Sequence, residues 1–421
     1  MSDFGDRLLA GVRARILRRA YARCLKGLRR AATGRKLRVV FYVSELAKWK
    51  GDSLFRALKG SRRFEPVIAV MNLTRQAGDP PDAQRRSLDE KLRFFRDRGR
   101  AVIDVQKPGR RDIADVGEIG ADIVFYQQPW DLPPQLKPTR VARRALTFYF
   151  PYYTPNYSDT EIEIDHKLHH QVFGHIVCDE STAAFYRAAR KGMSGAYAGD
   201  YLPLGHPALD EIAFEPDPPP ADGCVIYAPH WSVGFGDQVP PVPLSTFVET
   251  GRAILDYAKG HPEVRWAFKP HPMLKATLVS SGFMTPAEAD AYYADWERLG
   301  ESCQDGNYLG LFARSRAMVT DCGSFLTEYG CTGKPVIRLV NPKLRIGAQP
   351  CVGELYSKYY NVATAGELRA ALEAVVGRNE DPRRGERLEC LRGANLLGGH
   401  AARRIADYLD ALVGPADGRF R

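Results

Sequence analysis

Short runs of β-branched and aromatic residues alternate along most of this chain with longer segments whose apolar positions recur at helical spacing. Runs of that kind predict strands buried on both faces, and their alternation with helices predicts doubly wound α/β domains built on parallel sheets. In the first half the predicted strands are 37–43, 64–71, 101–105, 121–126, 145–150 and 175–178, with helices near 49–58, 87–99 and 181–191. The second half repeats the rhythm with strands at 224–228, 264–268, 317–320 and 335–340. Its helices are expected near 244–259, 286–299, 308–315, from Phe325, and at 364–376 and 383–413. Residues 72–86, with Gly78, Asp79 and Pro80-Pro81, read as an exposed loop.

The N-terminal stretch departs from this rhythm. Leu8, Leu9, Val12, Ile16, Leu17, Tyr21, Leu25 and Leu28 recur at helical spacing over 5–32, and arginines fill many other positions. Residues 1–36 hold eleven Lys/Arg against Asp3 and Asp6, so they carry +9 of the chain's net +10. A basic amphipathic helix of this kind suits an anionic membrane surface, where each basic side chain contributes about 1 kcal/mol. The plainer alternative is a helix packed on its own body with a solvated basic face. The nearly neutral body offers no basic–aromatic stripe, so nucleic acid is not an expected partner.

At 421 residues two domains are expected, and 44% hydrophobic with 26% charged residues describe a folded chain. The glycines and prolines of 192–223 form the strongest boundary. The pattern predicts a surface helix over 1–36, a first domain over 37–205, a second over 206–400, and a terminal helix and tail over 401–421. No apolar run approaches the roughly 18 residues that span a bilayer, and no secretory pattern opens the chain. A cytoplasmic location, peripheral to the inner face of the plasma membrane, is therefore expected. Eight cysteines without a C-x-x-C pair argue for reduced thiols and against a zinc site.

Candidate chemistry gathers in three loops at the ends of second-half strands: Ala228-Pro229-His230-Trp231, Lys269-Pro270-His271-Pro272 and Asp321-Cys322-Gly323-Ser324. Lys269 can balance a diphosphate, and histidine is suited to move a proton near neutral pH. The turn at Gly323-Ser324, between a strand and a helix, aims backbone N–H groups at a phosphate, with Ser324 adding a hydroxyl. Glu328 lies one turn further on, where a carboxylate could accept from ribose hydroxyls. The bland alternatives are a helix N-cap for Ser324, a solvated face for Glu328 and a packed core histidine for His230. Asp321 either orients an imidazole or closes the turn. In the first half, the Pro/aromatic loops that hold Gln128 and Trp130, and Tyr152, end two strands and could line an acceptor cleft. No G-x-S-x-G elbow and no G-x-x-x-x-G-K-[ST] loop is present, which disfavours serine hydrolases and P-loop kinases.

Taken together, Tyr227-Ala228-Pro229-His230-Trp231, Phe268-Lys269-Pro270-His271-Pro272, Val319-Thr320-Asp321-Cys322-Gly323-Ser324 and Gly333-Lys334-Pro335-Val336 resemble the CDP-glycerol glycerophosphotransferases. These are the teichoic-acid and capsule polymerases of the GT-B fold. Leu204-Gly205-His206-Pro207-Ala208-Leu209-Asp210 resembles the G-x-P-x-x-D stretch with which such enzymes pass between domains. The resemblance covers about 200–345, with weaker support back to about 120. It implies two Rossmann-like domains about a central cleft, and His271 with Lys269 at the donor diphosphate. It puts Gly323 and Ser324 where the family has a Ser-Ser pair, so one hydroxyl is missing, and Glu328 where an Asp is common. The family's first-domain W-H-G-T loop is replaced by Phe150-Pro151-Tyr152-Tyr153-Thr154-Pro155, which leaves His230 as the substitute base.

The expected partners are thus a CDP-alcohol donor, a lipid-linked or polymer acceptor and an anionic membrane surface, and the sequence leaves room for a homo-oligomer. No tightly bound cofactor and no metal site is expected, although a diphosphate could bring Mg²⁺ with it. The rivals are a GT-B glycosyltransferase with a nucleotide-sugar donor, a sugar-nucleotide 2-epimerase, and a non-catalytic nucleotide- or glycan-binding module.

Overall fold

A computed structural model describes residues 3–72, 80–107, 112–158, 166–191, 197–212, 214, 217–233, 244–303, 308–344, 346–393, 396 and 400–414. The chain divides into two compact units, each with its own sheet. The first comprises Met1–Thr154, Asp159–Glu211 and Gly399–Arg421, and the second Pro155–Ser158 and Ile212–Gly398.

The sheet of the first unit contains β1 (Leu37–Val43), β2 (Phe64–Val70), β3 (Val102–Asp104), β4 (Ile123–Tyr126), β5 (Leu146–Tyr149), β6 (Gly174–Val177) and β7 (Asp200–Pro203). All pairs are parallel, in the order β3-β2-β1-β4-β5-β6-β7. Side chains alternate between two apolar layers. Val39, Phe41 and Val43 join Phe55, Phe95 and Phe148 on one face, while Val40 and Tyr42 join Met71, Val105 and Val124 on the other. Burial on both faces is why these strands read as unbroken apolar runs.

The N-terminal helix, Asp3–Ala31, serves two purposes. Leu17, Tyr21 and Leu28 are buried on the first unit, and the Tyr21 hydroxyl donates to the Gln171 carbonyl (2.7 Å) and meets the Thr147 hydroxyl (2.5 Å). Leu9, Val12 and Ile16 are instead 54%, 47% and 58% exposed, although such residues are normally buried. Packing therefore explains Leu17, Tyr21, Leu25 and Leu28, and Leu9, Val12 and Ile16 are left on the surface.

The helix Ala401–Val413, within the terminal helix and tail expected over 401–421, packs on the first unit through Ala402, Ile405, Leu409 and Val413. The G-x-P-x-x-D stretch explains the docking. Gly205 has φ +91, and a Cβ there would stand 2.8 Å from Ala401 Cβ, so only glycine suits both the backbone and the close approach. The Asp210 carboxylate accepts from the amides of Ala401 (3.2 Å) and Ala402 (2.8 Å), which caps the helix. His206 is buried between them, with Nδ1 accepting from the Ala208 amide (3.2 Å) and Nε2 donating to the Pro151 carbonyl (2.9 Å).

Burial pushes the His206 imidazole down to about 4 and that of His175 well below its ordinary value. Both are neutral in the folded chain and take up a proton on unfolding below about pH 6.5. Each is therefore expected to lower stability by about 1.4 kcal/mol per pH unit as pH falls from 6.5 toward the folded value. Denaturant midpoints measured between pH 7 and 5 should show this slope, and His206→Gln should flatten it. An unchanged slope in that variant would mean His206 is not the proton sink.

The second unit holds β8 (Cys224–Ala228), β9 (Trp266–Phe268), β10 (Gly300–Ser302), β11 (Ser315–Thr320), β12 (Val336–Leu339) and β13 (Tyr360–Val362). They form a parallel sheet in the order β10-β9-β8-β11-β12-β13. Its core stacks Tyr227, Phe268 and Trp296, with Val319, Ile337 and Leu339 alongside. The Gly333-Lys334-Pro335 motif belongs to this scaffold. Gly333 has φ +78, and the fully buried Lys334 Nζ donates to the carbonyls of Phe312 and Ala313 (both 2.8 Å), closing the end of the helix Leu309–Arg314.

Several elements differ from the sequence pattern. The edge strands β7, β10 and β13 are three or four residues long, too short for a periodicity to mark them. The helix Pro81–Asp97 begins six residues before its expected start, because Pro81 sits at its first position, where proline's fixed φ is favourable. Of the loop expected at 72–86, residues 81–86 belong to this helix and 73–79 lie outside the described residues. The helix predicted at 383–413 is two helices, Arg384–Gly393 and Ala401–Val413.

Candidate active site

Strand order in the second sheet reverses between β8 and β11; the loops that leave these two strands carry His230, Asp321, Gly323 and Ser324, and the loop that leaves the adjacent β9 carries Lys269 and His271. In open α/β sheets this is where ligands bind. Thr320 ends β11 and turns back on its neighbour: its hydroxyl donates to the Ala228 carbonyl (2.6 Å) and accepts from the Cys322 amide (2.9 Å). The helix Gly323–Gly330 then starts with Cys322, not Ser324, at its N-cap. Ser324 is one residue inside it, half-buried, and the first-turn amides point out of the same end.

Asp321 is 2% exposed and orients no imidazole. Its carboxylate accepts from the His230 amide (2.6 Å), the Thr246 amide (2.7 Å), the Ser245 hydroxyl (3.1 Å) and the Thr246 hydroxyl (3.3 Å). It thereby ties the loop after β8 to the start of the helix Phe247–Gly260. Burial pushes its carboxyl up to about 6, with the four donors pulling the other way.

His230 and His271 come together, with ring centroids 5.3 Å apart and Trp231 completing a triangle at 5.8 and 5.9 Å. The His271 amide donates to the Pro229 carbonyl (3.0 Å), which fixes one loop against the other. In both rings Nδ1 accepts a backbone amide, from Ser232 for His230 and from Met273 for His271, each at 3.2 Å. The Ser232 hydroxyl, which accepts from the Leu244 amide (2.9 Å), lies 2.8 Å from the same His230 Nδ1. This network assigns the remaining proton to Nε2 in each ring. Burial, with each ring's charged or titratable neighbour adding to it, pushes His230 down to about 3 and His271 to about 4, so both stay neutral. Each offers an N–H donor. The expectation of His230 as a substitute base is corrected on this point, because its Nε2 lone pair is occupied by the proton.

Lys269 is 6% exposed. Its Nζ lies 3.5 Å from the Cys303 carbonyl and about equally far from the Tyr308 (5.9 Å) and Phe325 (6.0 Å) rings, a cation held at the helix start. Glu328 lies on the inner side of the helix, 2% exposed, where its charge raises the Tyr308 phenol further after burial has done so. Neither a solvated face nor a solvent-open ribose contact describes that position.

Three residues of this site went unrecognised in the sequence. Segment 155–158 belongs to the second unit: the Asn156 carbonyl accepts from the Gln349 amide (2.7 Å) and the Ser158 amide donates to the Gly347 carbonyl (2.8 Å). This lays the Tyr157 ring on Gly323, where a Cβ would come within 3.1 Å of it and 3.5 Å of the Asn156 amide nitrogen. The missing serine side chain is thus replaced by Tyr157 and Asn156. Arg338, on β12, donates to the Tyr157 hydroxyl (3.4 Å) and to Asn361 (3.2 Å).

The first unit places Gln128, Trp130 and Tyr152 together beyond β4 and β5. The Gln128 amide donates to the Trp130 carbonyl (3.2 Å), and the Trp130 and Tyr152 rings meet edge to face at 5.9 Å. Among the described residues no group of three or more His, Cys, Asp or Glu could hold a metal ion. No described helix is long and apolar enough to cross a membrane, and the eight cysteines are free thiols.

No family model and no curated relative matches the sequence. Solved structures do match. The wall teichoic acid polymerase TagF aligns with a TM-score of 0.51 at 13% identity, covering 98% of this chain and 97% of that one. The S. aureus MnaA–UDP structure aligns at 0.54 with 13% identity, covering 90% and 99%. The UDP-GlcNAc 2-epimerase from Neisseria meningitidis bound to UDP-GlcNAc aligns at 0.53 with 12% identity, covering 89% and 99%. Likeness at these identities establishes the fold: two parallel-sheet α/β domains of the GT-B kind, as the resemblance to the CDP-glycerol glycerophosphotransferases implies.

Proposed function

We propose that the protein is a transferase of cell-envelope polymer synthesis. It moves a glycerol-phosphate or similar polyol-phosphate unit from a CDP-activated donor to a hydroxyl of a polymer acceptor, and CMP leaves. The observation that carries this reading is the composition of the second unit's switch point. Lys269, two histidines that present N–H groups, the helix start at Gly323 and the Ser324 hydroxyl supply cation and donors at one sheet edge. A diphosphate is the group those features complement.

In this reading the acceptor oxygen attacks the phosphorus that carries the polyol, and the bond to the CMP oxygen breaks. The charge left on CMP is met by Lys269 and by the Nε2–H groups of His271 and His230. Such catalysis works by positioning and charge stabilisation, which a set of pre-oriented donors provides. Gln128, Trp130 and Tyr152 serve the acceptor. The test is nucleotide release from purified protein offered CDP-glycerol, CDP-ribitol, UDP-GlcNAc or GDP-mannose with a membrane fraction. Acceptor-dependent CMP release supports the reading; UDP or GDP release, or UDP-GlcNAc epimerised without an acceptor, overturns it.

The N-terminal helix supplies the membrane contact in the same reading. Leu9, Val12 and Ile16 project from the body with Arg13, Arg19 and Arg23 exposed around them. Binding to vesicles with 30% anionic lipid is expected to fall at least tenfold in the Leu9→Ser/Ile16→Ser variant and on raising salt. Equal sedimentation of that variant with vesicles would remove the helix from this role.

A further inference from the structure

One residue of β12 does not match its surroundings. Val336, Ile337 and Leu339 are buried and apolar, and Arg338 stands among them. Register puts it beside Thr320 of β11 and Asn361 of β13, so the strand brings it to the edge where the Asp321 loop begins. Its guanidinium is half-buried and forms no ion pair among the described residues. Its polar partners are neutral: Asn361 Oδ1 at 3.2 Å and the Tyr157 hydroxyl at 3.4 Å. The Nε–H is buried with no acceptor. The Tyr157 and Tyr356 rings lie 5.8 and 5.2 Å from the guanidinium carbon. Stacking of that kind offsets only part of the cost of withdrawing an ion from water.

The segment over Gly323 shows the same imbalance. The Tyr157 hydroxyl accepts from Arg338, but its own proton has no acceptor among the described residues, on a residue only 8% exposed. Burial raises this phenol above its ordinary value against the pull of Arg338, so the proton stays in place. Asn156 Oδ1 accepts from the Tyr157 amide (2.6 Å), which leaves the side-chain N–H₂ as a donor beside Gly323. An excess of donors and one unbalanced cation therefore lie on one side of the helix start. Lys269, in the loop after β9, lies on the other. In the order β9-β8-β11-β12, the helix that follows β11 begins between the two cations.

A carboxylate would bring one charge and acceptors in a single plane. A diphosphate brings two tetrahedral groups and enough charge for two cations. We propose that Asn156, Tyr157 and Arg338 form the second half of the diphosphate site, holding one phosphate while Lys269 and the two histidines hold the other. The Tyr157 hydroxyl and the Asn156 N–H₂ donate to its oxygens. Arg338 is a positioning residue: it balances the charge and turns the hydroxyl proton toward the phosphate. This rests on the reading of the switch point as a diphosphate site, and it concerns binding, with no step of the transfer routed through it.

CDP, UDP and inorganic pyrophosphate, each titrated by calorimetry into the full chain, test it. At least one is expected to bind, with affinity at least tenfold weaker in Arg338→Met and about three- to tenfold weaker in Tyr157→Phe, which keeps the ring on Gly323. The ligand-free Arg338→Met chain should unfold at the wild-type denaturant midpoint or above it, because an unbalanced cation gives way to an apolar side chain of similar length. Unchanged binding in both variants overturns the proposal, and leaves the transferase reading standing where CDP-alcohols are turned over. Binding lost together with a lowered midpoint makes Arg338 a packing residue and overturns it as well. No binding of the three ligands by the wild type overturns the site. Binding that depends on Arg338, in a chain that releases no CMP from any CDP-alcohol, rejects the transferase reading and upholds the site.

Discussion

Replacing His271 by alanine is expected to lower turnover by ~10²–10⁴-fold while the donor's dissociation constant changes by about threefold or less. The asymmetry follows from where its proton sits. With Nδ1 committed to the Met273 amide, Nε2–H is the group the ring offers, and a neutral donor gains most when negative charge grows on the leaving CMP. Ground-state binding of the diphosphate keeps Lys269, Ser324 and the helix start. The pH dependence should follow the depressed imidazole. His271 stays neutral down to about pH 4, so no acid limb near 6.5 should come from it. Single-turnover rates and equilibrium donor binding, measured on the same preparation, check both points. A variant with normal kcat and a donor affinity weaker by the whole effect would make His271 a binding residue only.

The interior strands of both sheets were legible because each is buried on two faces, and a run such as Leu37–Val43 can be little else. Of the four edge strands only β3 was, at 101–105; a stretch such as Gly300-Glu301-Ser302 has no pattern a solvated loop would lack. Motifs were visible as motifs but their purposes were not. Gly205, Asp210 and Lys334 act on Ala401, Ala402, Phe312 and Ala313, up to about 190 residues away, and no local feature announces such partners. The histidines of the second unit were found by residue type, yet their tautomers depend on amides two residues further along, which only the folded loops bring round. The three loops that gather at the strand ends of the second sheet were therefore readable from sequence, whereas segment 155–158 over Gly323 was not.

Asp321→Ala is expected to destabilise the second unit by about 2–5 kcal/mol and to abolish organised donor binding, because four buried donors lose one acceptor. Two of them, the amides of His230 and Thr246, cannot turn away as hydroxyls can, so the loops they belong to must move toward water or remain unsatisfied. The His230–Trp231–His271 triangle rests on the first of these loops, so its geometry should be lost with the carboxylate. The pH dependence distinguishes this brace from a group used only in chemistry. Burial holds the folded carboxyl up at about 6, above its unfolded value near 4, so between those values the folded chain keeps a proton that the unfolded chain releases. This group therefore adds stability as pH falls through 6, at most about 1.4 kcal/mol per unit, and the added part is absent above that range. The pH effect is read against Asp321→Asn, which keeps an acceptor for the two loops: its stability gap to the wild type should shift in favour of the wild type from pH 7 to pH 5, while the buried histidines, held alike in both proteins, cancel. Denaturant titrations of the pair at the two pH values measure it directly. Equal stability of wild type and Asp321→Ala at pH 7, with turnover alone lost, would show that Asp321 acts on the reacting atoms and does not tie the two loops together.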